Sequence, residues 1–311
     1  MDYGAHLPLI GFEGTGFSLE FLLEFTRTAE SLGFAAVTAN DHFVFSQPWL
    51  DGPTALAAVL PHTGRMDLAT SVALPVLRGP VALAKTLGAI DLLSGGRLIV
   101  GVGPGSSQRD YAAVGIPFDE RWKRLDESIL ALRALWARDS APFQGHFYST
   151  EGIDLSPHPP ALQGPPIWIG SWGSDAGLRR VARLADGWLA SAYNTTPALF
   201  QEGLEKLMGL LPDSSKDPGT FPNAIATMWC YVTEDRAEAE RVLTDVVGRM
   251  LGRPVDELRE QVLVGSTAEC ARKLAAYRRA GAQRIFVWPV KDPVRQLNLF
   301  MERVVPLQAD A

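Results

Sequence analysis

Residues 67–106 read DLATSVALPVLRGPVALAKTLGAIDLLSGGRLIVGVGPGS, and their pattern decides the fold. Leu68–Ala73 is apolar and β-compatible. Pro80–Leu93 sets Val81, Ala84, Leu87, Ala89 and Ile90 near helical spacing. Ser94-Gly95-Gly96 stops that helix, and Leu98–Val102 is a short, wholly apolar run. Strand, helix and strand make one βαβ unit, and strands apolar on both faces belong to parallel sheets covered by helices. Small polar residues and glycines follow both strands, where a ligand can approach the backbone.

The same rhythm runs outward in both directions. Upstream, Tyr3–Leu9 reads as a strand ending in a Gly-rich loop (Gly11, Gly14, Gly16). Ser18 caps a helix over Leu19–Leu32, Phe34–Ala39 is the second strand, and Asp51–Leu60 is a helix. Downstream, Asp110–Gly115 is a short helix and Phe118–Arg138 a long amphipathic one, with Trp122, Leu125, Ile129, Leu132 and Trp136 toward the core. Phe143–Leu155 breaks the alternation like a hairpin insertion, and the proline-rich 157–166 is an extended connector. Then come strands at Ile167–Gly170, Gly187–Ser191, Ile225–Val232 and Arg284–Trp288, with helices between them. Eight strands, nearly all followed by helices, predict a (β/α)8 TIM barrel with an insertion around 140–165. About 250 residues plus insertions is ordinary for that fold. An open doubly wound sheet is the alternative that the alternation allows. No linker divides the chain, so 1–311 reads as a single barrel domain.

Bulk properties narrow the function. The chain has 311 residues, 47% of them hydrophobic, and a net charge of −6 without a basic cluster. That argues against nucleic-acid binding. No apolar run is long enough to span a membrane. The N-terminus lacks a signal-peptide pattern and the two cysteines, Cys230 and Cys270, share no metal spacing, so a cytoplasmic protein without a metal site is expected.

In a parallel barrel the site lies at the C-terminal strand ends. Asp41-His42 follows the second strand, and histidine passes protons near neutral pH. Gly101-Val-Gly-Pro-Gly105-Ser106 fails as a dinucleotide fingerprint and reads either as a tight strand-to-loop turn or as a backbone wall against a flat ligand. Gly170-Ser171-Trp172-Gly173-Ser174 joins a strand to a helix, whose free N–H groups suit a phosphate or form a plain N-cap. It is not a GxSxG nucleophile elbow, because Ile169 stands at the first glycine position. Phe43, Phe45, Trp49, Trp172 and Trp288 are expected to make the cavity mouth aromatic. Asp91 and Arg97 suit a structural salt bridge.

Three segments together resemble the luciferase-like flavin-dependent oxidoreductase superfamily. The first is Thr70-Ser71-Val72 with Leu77-Arg78-Gly-Pro80, Ala84-Lys85, Asp91 to Arg97 and Gly101-Val-Gly103. The second is Phe118-x-Glu-Arg121 through Leu135-Trp136. The third is Pro165 to Gly170, Ala176-Gly177 and Ala185-Asp-Gly-Trp188. The resemblance implies a barrel that binds FMN or the deazaflavin coenzyme F420 at its strand ends. It implies a non-prolyl cis peptide at Ser71-Val72 behind the ring, and a ring wall formed by Gly103 to Ser106. Gly170 to Ser174 would be the phosphate turn, Leu77-Arg78-Gly-Pro80 would place a helix or else bring Arg78 toward the cofactor tail, and Asp41-His42 matches the deazaflavin-dependent branch, with His42 catalytic. The sugar-phosphate dehydrogenases of that branch carry a glutamate where this chain has Ser106, which sets it apart from them. The expected activity is F420-dependent hydride transfer to or from a small, apolar or ring-containing substrate. The alternatives are an FMN-dependent monooxygenase served by a separate flavin reductase, and a barrel that binds flavin but has lost activity. Members of this family are commonly dimers, so a homodimer is expected.

Overall fold

A computed structural model describes residues 1–12 and 17–308. Gly14 and Gly16 of the expected Gly-rich loop lie outside the described residues. Nine strands are described: β1 (Asp2–His6), β2 (Ala36–Ala39), β3 (Asp67–Thr70), β4 (Leu98–Val102), β5 (Ile167–Gly170), β6 (Gly187–Ser191), β7 (Asn223–Val232), β8 (Leu263–Gly265) and β9 (Arg284–Pro289). Strands β1 to β7 and β9 pair in parallel around a closed ring, β9 returning to β1. This is the expected eight-stranded barrel. The ninth strand, β8, pairs only with Cys230–Val232 at the far end of β7. Its three residues follow the helix Val255–Gln261, an element too short to carry a readable strand pattern.

The barrel interior explains several small residues. Phe286 and Trp168 fill it among Ala36, Ala69, Ala224 and Ala226. A Cβ on Gly4 would stand 2.3 Å from Phe286, and one on Gly187 2.5 Å from Trp168. Glycine at those positions makes room for two large rings in a narrow barrel. The larger core lies outside the barrel wall, where Leu83, Leu87, Ile90, Leu132 and Trp136 pack helices on strands.

Other expectations shift by local chemistry. The helix Arg121–Trp136 buries Leu125, Ile129, Leu132 and Trp136, but Trp122, in its first turn, is 38% exposed and faces a cavity. The insertion has a single antiparallel bridge, Gln144 to Ser149. Glu127 holds its tip by accepting from the N–H groups of His146, Phe147 and Tyr148 at 3.0, 2.7 and 3.3 Å. Asp91 and Arg97 do not pair. Asp91 accepts from Leu98 N at 3.1 Å, while Arg97 donates to Ser94 O, Thr63 Oγ1 and Met66 O. No helix among the described residues is long and apolar enough to cross a membrane.

Candidate active site

The C-terminal strand ends open into a cavity of about 690 Å³. A second cavity of about 700 Å³, beside the ends of β1 and β9, is lined by apolar residues such as Ile10, Phe12 and Val290 with Lys291, Asp292 and Arg295. Only the first gathers residues from the ends of β2 to β7, so the barrel rule selects it.

One wall comes from the loop after β2. The Asp41 carboxylate is buried, and Arg78 grips it through Nε and Nη2, both at 2.6 Å, while Nη2 also donates to Asp51. Such a fork is the strong form of an ion pair. His42 turns away from Asp41. Its Nδ1 lies 2.8 Å from Asp110 Oδ2, and Asp110 Oδ1 accepts from Val44 N at 2.6 Å and Phe43 N at 3.2 Å. Burial pushes the Asp110 carboxyl up, but hydrogen bonds from His42 and those N–H groups outweigh it. The group is held below the ordinary carboxylate range. Phe45 and Trp49 pack on the His42 ring at 4.6 and 4.5 Å between centroids.

The floor is made by one small side chain between two glycines. The Ser71-Val72 peptide is cis, as the resemblance implied. Val72 rises between β4 and β5: a Cβ on Gly103 would stand 2.8 Å from it, and one on Gly170 3.2 Å. The three residues make an apolar ledge that side chains would spoil. Tyr111 Oη donates to Pro104 O and ties down the wall that runs from Gly103 to Ser106.

The opposite end is the start of the helix Asp175–Leu184. Ser174 caps it, accepting from Gly177 N at 3.2 Å, and Ser171 Oγ accepts from Gly173 N at 3.3 Å. Arg121 and Arg180 line this end with Trp122 between them, Arg180 4.6 Å over its ring. Arg180 is paired with Asp126, whereas Arg121 lies 4.0 Å over the Phe118 ring and donates to Phe118 O at 3.0 Å.

Asp41, His42, Ser71, Val72, Gly103, Ser106, Gly170, Ser171, Trp172 and Ser174 all line the cavity; Gly173 is not among the lining residues. The Leu77-Arg78-Gly-Pro80 segment does place helices, Pro75–Arg78 and Pro80–Ser94, and of its two readings the cofactor tail gives way, because Arg78 clamps Asp41 and Asp51. Of the five expected aromatics only Trp172 lines the cavity. Trp288 is buried, stacked on His6 at 3.7 Å. Sequence reasoning missed Asp110, which lies 68 residues from its partner and carries no local motif. It also missed Thr227, a lining residue at a break in the β7 pairing with φ of +56°. A β-branched residue in that region is strained, and nothing in the sequence signals it.

An apolar ledge of Val72 beside two glycines, a helix start beside cations and a histidine at one wall suit a flavin- or deazaflavin-dependent oxidoreductase, the class to which the chain's likeness to known proteins assigns it. The model of the luciferase-like monooxygenase family matches residues 6–255, and the chain belongs to that family. It is 28% identical to an F420-dependent glucose-6-phosphate dehydrogenase of Intrasporangium calvum, over 92% of this chain and 93% of that protein. It is 25% identical to an F420-dependent hydroxymycolic acid dehydrogenase of Mycobacterium tuberculosis, over 93% of this chain and 85% of that one. The crystal structure of monooxygenase RslO1 from Streptomyces bottropensis superposes with a TM-score of 0.86 at 26% identity, covering 98% of this chain and 99% of that one.

Proposed function

We propose that the protein binds coenzyme F420 in this cavity and catalyses hydride transfer to or from a small apolar or ring-containing organic substrate. The single observation that carries the reading is His42, fixed by Asp110 at the wall beside the Val72 ledge. The residues present fit the cofactor: Val72, Gly103 and Gly170 leave a flat apolar face for a ring. The turn from Ser171 to Gly177 offers two serine hydroxyls at a helix start to a phosphate, each already oriented by the Gly173 or Gly177 N–H group it accepts. Arg121 stands near that turn as a cation for an acidic tail.

When bound, the deazaflavin supplies the hydride chemistry, which no side chain can perform. His42 supplies the proton chemistry. With its Nδ1 committed to Asp110, Nε2 takes the hydroxyl proton of an alcohol being oxidised, or returns it to a carbonyl being reduced. Asp41, already clamped by Arg78, keeps the loop in place and moves no proton. Ser106 in place of a glutamate argues against a sugar phosphate as substrate.

A second reading, FMN-dependent monooxygenation served by a separate reductase, is favoured by the likeness to RslO1. Titrating ligand-free protein with oxidised F420 and with FMN, followed by absorbance and fluorescence, separates them. Micromolar F420 binding with weak FMN binding supports hydride transfer, and substrate screens then start from alcohols and activated alkenes. The reverse preference moves the assignment to oxygen chemistry. Binding without turnover across the screens would identify an inactive barrel, and binding of neither would remove the cofactor site.

A further inference from the structure

We infer that Asp110 is the positioning residue that decides which nitrogen of His42 meets the substrate. This deepens the proposed function and rests on its reading of His42 as the group that moves the proton.

The geometry leaves one arrangement. An ionised carboxylate accepts hydrogen bonds and donates none. With Asp110 Oδ2 2.8 Å from His42 Nδ1, that nitrogen carries the proton, and the neutral ring keeps its lone pair on Nε2. Asp110 is placed for this by two independent anchors. Its own N–H is capped by Ser107 Oγ at 3.2 Å at the start of the helix Gln108–Ala113. Its second oxygen accepts from the Val44 and Phe43 N–H groups, so the helix that carries the carboxylate is tied to the loop that carries the imidazole. Several other charged groups around this loop are committed elsewhere. Asp41 and Asp51 face Arg78, and Arg78 lies 5.0 Å over the Phe43 ring; Arg121 and Arg180 line the cavity beside Phe118 and Trp122. Phe45 and Trp49 restrain the ring sideways, so Asp110 sets its tautomer and they limit its tilt.

Asp110→Asn tests this with little harm to the fold. Its amide oxygen still accepts from Val44 and Phe43, while its NH2 faces His42 Nδ1. That NH2 donates where the carboxylate accepted, so Nδ1 becomes the acceptor and the proton moves to Nε2. The experiment is a two-bond 1H–15N spectrum of 15N-histidine-labelled protein at alkaline pH, with His42 assigned by loss of its signals in His42→Gln. The wild type is expected to show the Nδ1-protonated tautomer and Asp110→Asn the Nε2-protonated one. Turnover in Asp110→Asn should fall about 100-fold, with cofactor affinity changed by less than about threefold, and Asp110→Glu should recover part of the rate. An Nε2-protonated ring in the wild type, or a tautomer that Asp110→Asn leaves unchanged, overturns the inference. If the tautomer switches as stated but His42→Gln turns over at the wild-type rate, the proton-transfer reading fails while the orienting role of Asp110 stands. If His42→Gln is dead and Asp110→Asn is fully active, the reading stands and the inference fails.

Discussion

The loop after β2 and the turn after β5 border the same cavity by opposite means. Between Asp41 and Asp51 the work is done by side chains: a guanidinium fork on two carboxylates, and an imidazole on a third. Between Gly170 and Gly177 it is done by backbone and by absent side chains, with two serine hydroxyls filling in. The first region has groups that titrate and can exchange a proton. The second has fixed dipoles and space, suited to binding a charge that does not change. The contrast separates chemistry from cofactor affinity, and it can be tested by breaking each region alone.

The largest effect is expected from His42→Ala. Loss of a positioned proton-transfer group costs about 10²–10⁴-fold in rate. Cofactor titrations of the variant should match the wild type within a few-fold, because His42 belongs to the side-chain region. A matching collapse in affinity would show that the two regions are not separable. Next comes Arg78→Met, which leaves the buried Asp41 carboxylate without its fork. Removing one partner of a buried pair costs about 3–5 kcal/mol. Arg78 and Asp41 have side-chain exposures of 18% and 1%, so an effect near the lower bound is expected in urea unfolding. A loss under 1 kcal/mol would mean that the loop is held by packing and not by charge.

These regions also differ in how well the sequence disclosed them. All eight barrel strands were legible, because a strand covered on both faces must be apolar and a crossover helix must follow it. The turn after β5 was legible as a cavity wall because glycines and serines between a strand and a helix announce backbone chemistry. His42 was legible as a titratable residue just past a strand. Asp110 was not, since its role exists only once the helix Gln108–Ala113 has been folded against the β2 loop. The carboxylate partners of Arg78 were hidden for the same reason: Asp41 and Asp51 lie 37 and 27 residues upstream. Trp122 was misplaced because helical spacing cannot tell a cavity wall from a core. The cis bond at Ser71-Val72 came from resemblance alone, as nothing in Ser-Val itself demands it.

A smaller effect concerns the footing of the β2 loop. His6, the last residue of β1, is fully buried beside Asn40, with Nδ1 2.7 Å from Leu7 O. Burial pushes its pKa from the ordinary 6.5 down to about 3, against weaker opposition from Leu7 and Asn40. The unfolded chain therefore takes up a proton that the fold refuses, so stability is lost as pH falls from 6.5 toward 3. The slope is about 1.4 kcal/mol per pH unit, or about 2 kcal/mol by pH 5. His6→Phe, which keeps a ring on Trp288, should flatten that slope in urea midpoints measured at pH 7 and pH 5. Asp51 and Asp110, both held below the ordinary carboxylate value of 3.8, lose their contribution only below that value, outside the pH 7 to pH 5 range of the measurement. An unchanged slope in His6→Phe would place the proton uptake elsewhere.

The smallest effect is the sharpest test of the backbone region. A Cβ on Gly177 would stand 2.3 Å from Ser171 Oγ and 3.0 Å from Ser174 Oγ. Gly177→Ala therefore displaces the hydroxyl that accepts from Gly173 N and crowds the one that caps the helix. Alanine also raises helix propensity by up to about 1 kcal/mol over glycine, which offsets part of the crowded cap, so the melting temperature should fall by no more than a few degrees. Cofactor affinity should drop about tenfold, equivalent to about 1.4 kcal/mol, while turnover at saturating cofactor stays within about twofold of wild type. Unchanged affinity would move the phosphate away from this turn. A fall in saturated turnover would be more damaging. It would mean that the turn steers the ring toward His42 as well as holding the tail, and the division between a binding region and a chemical one would then be a difference of degree.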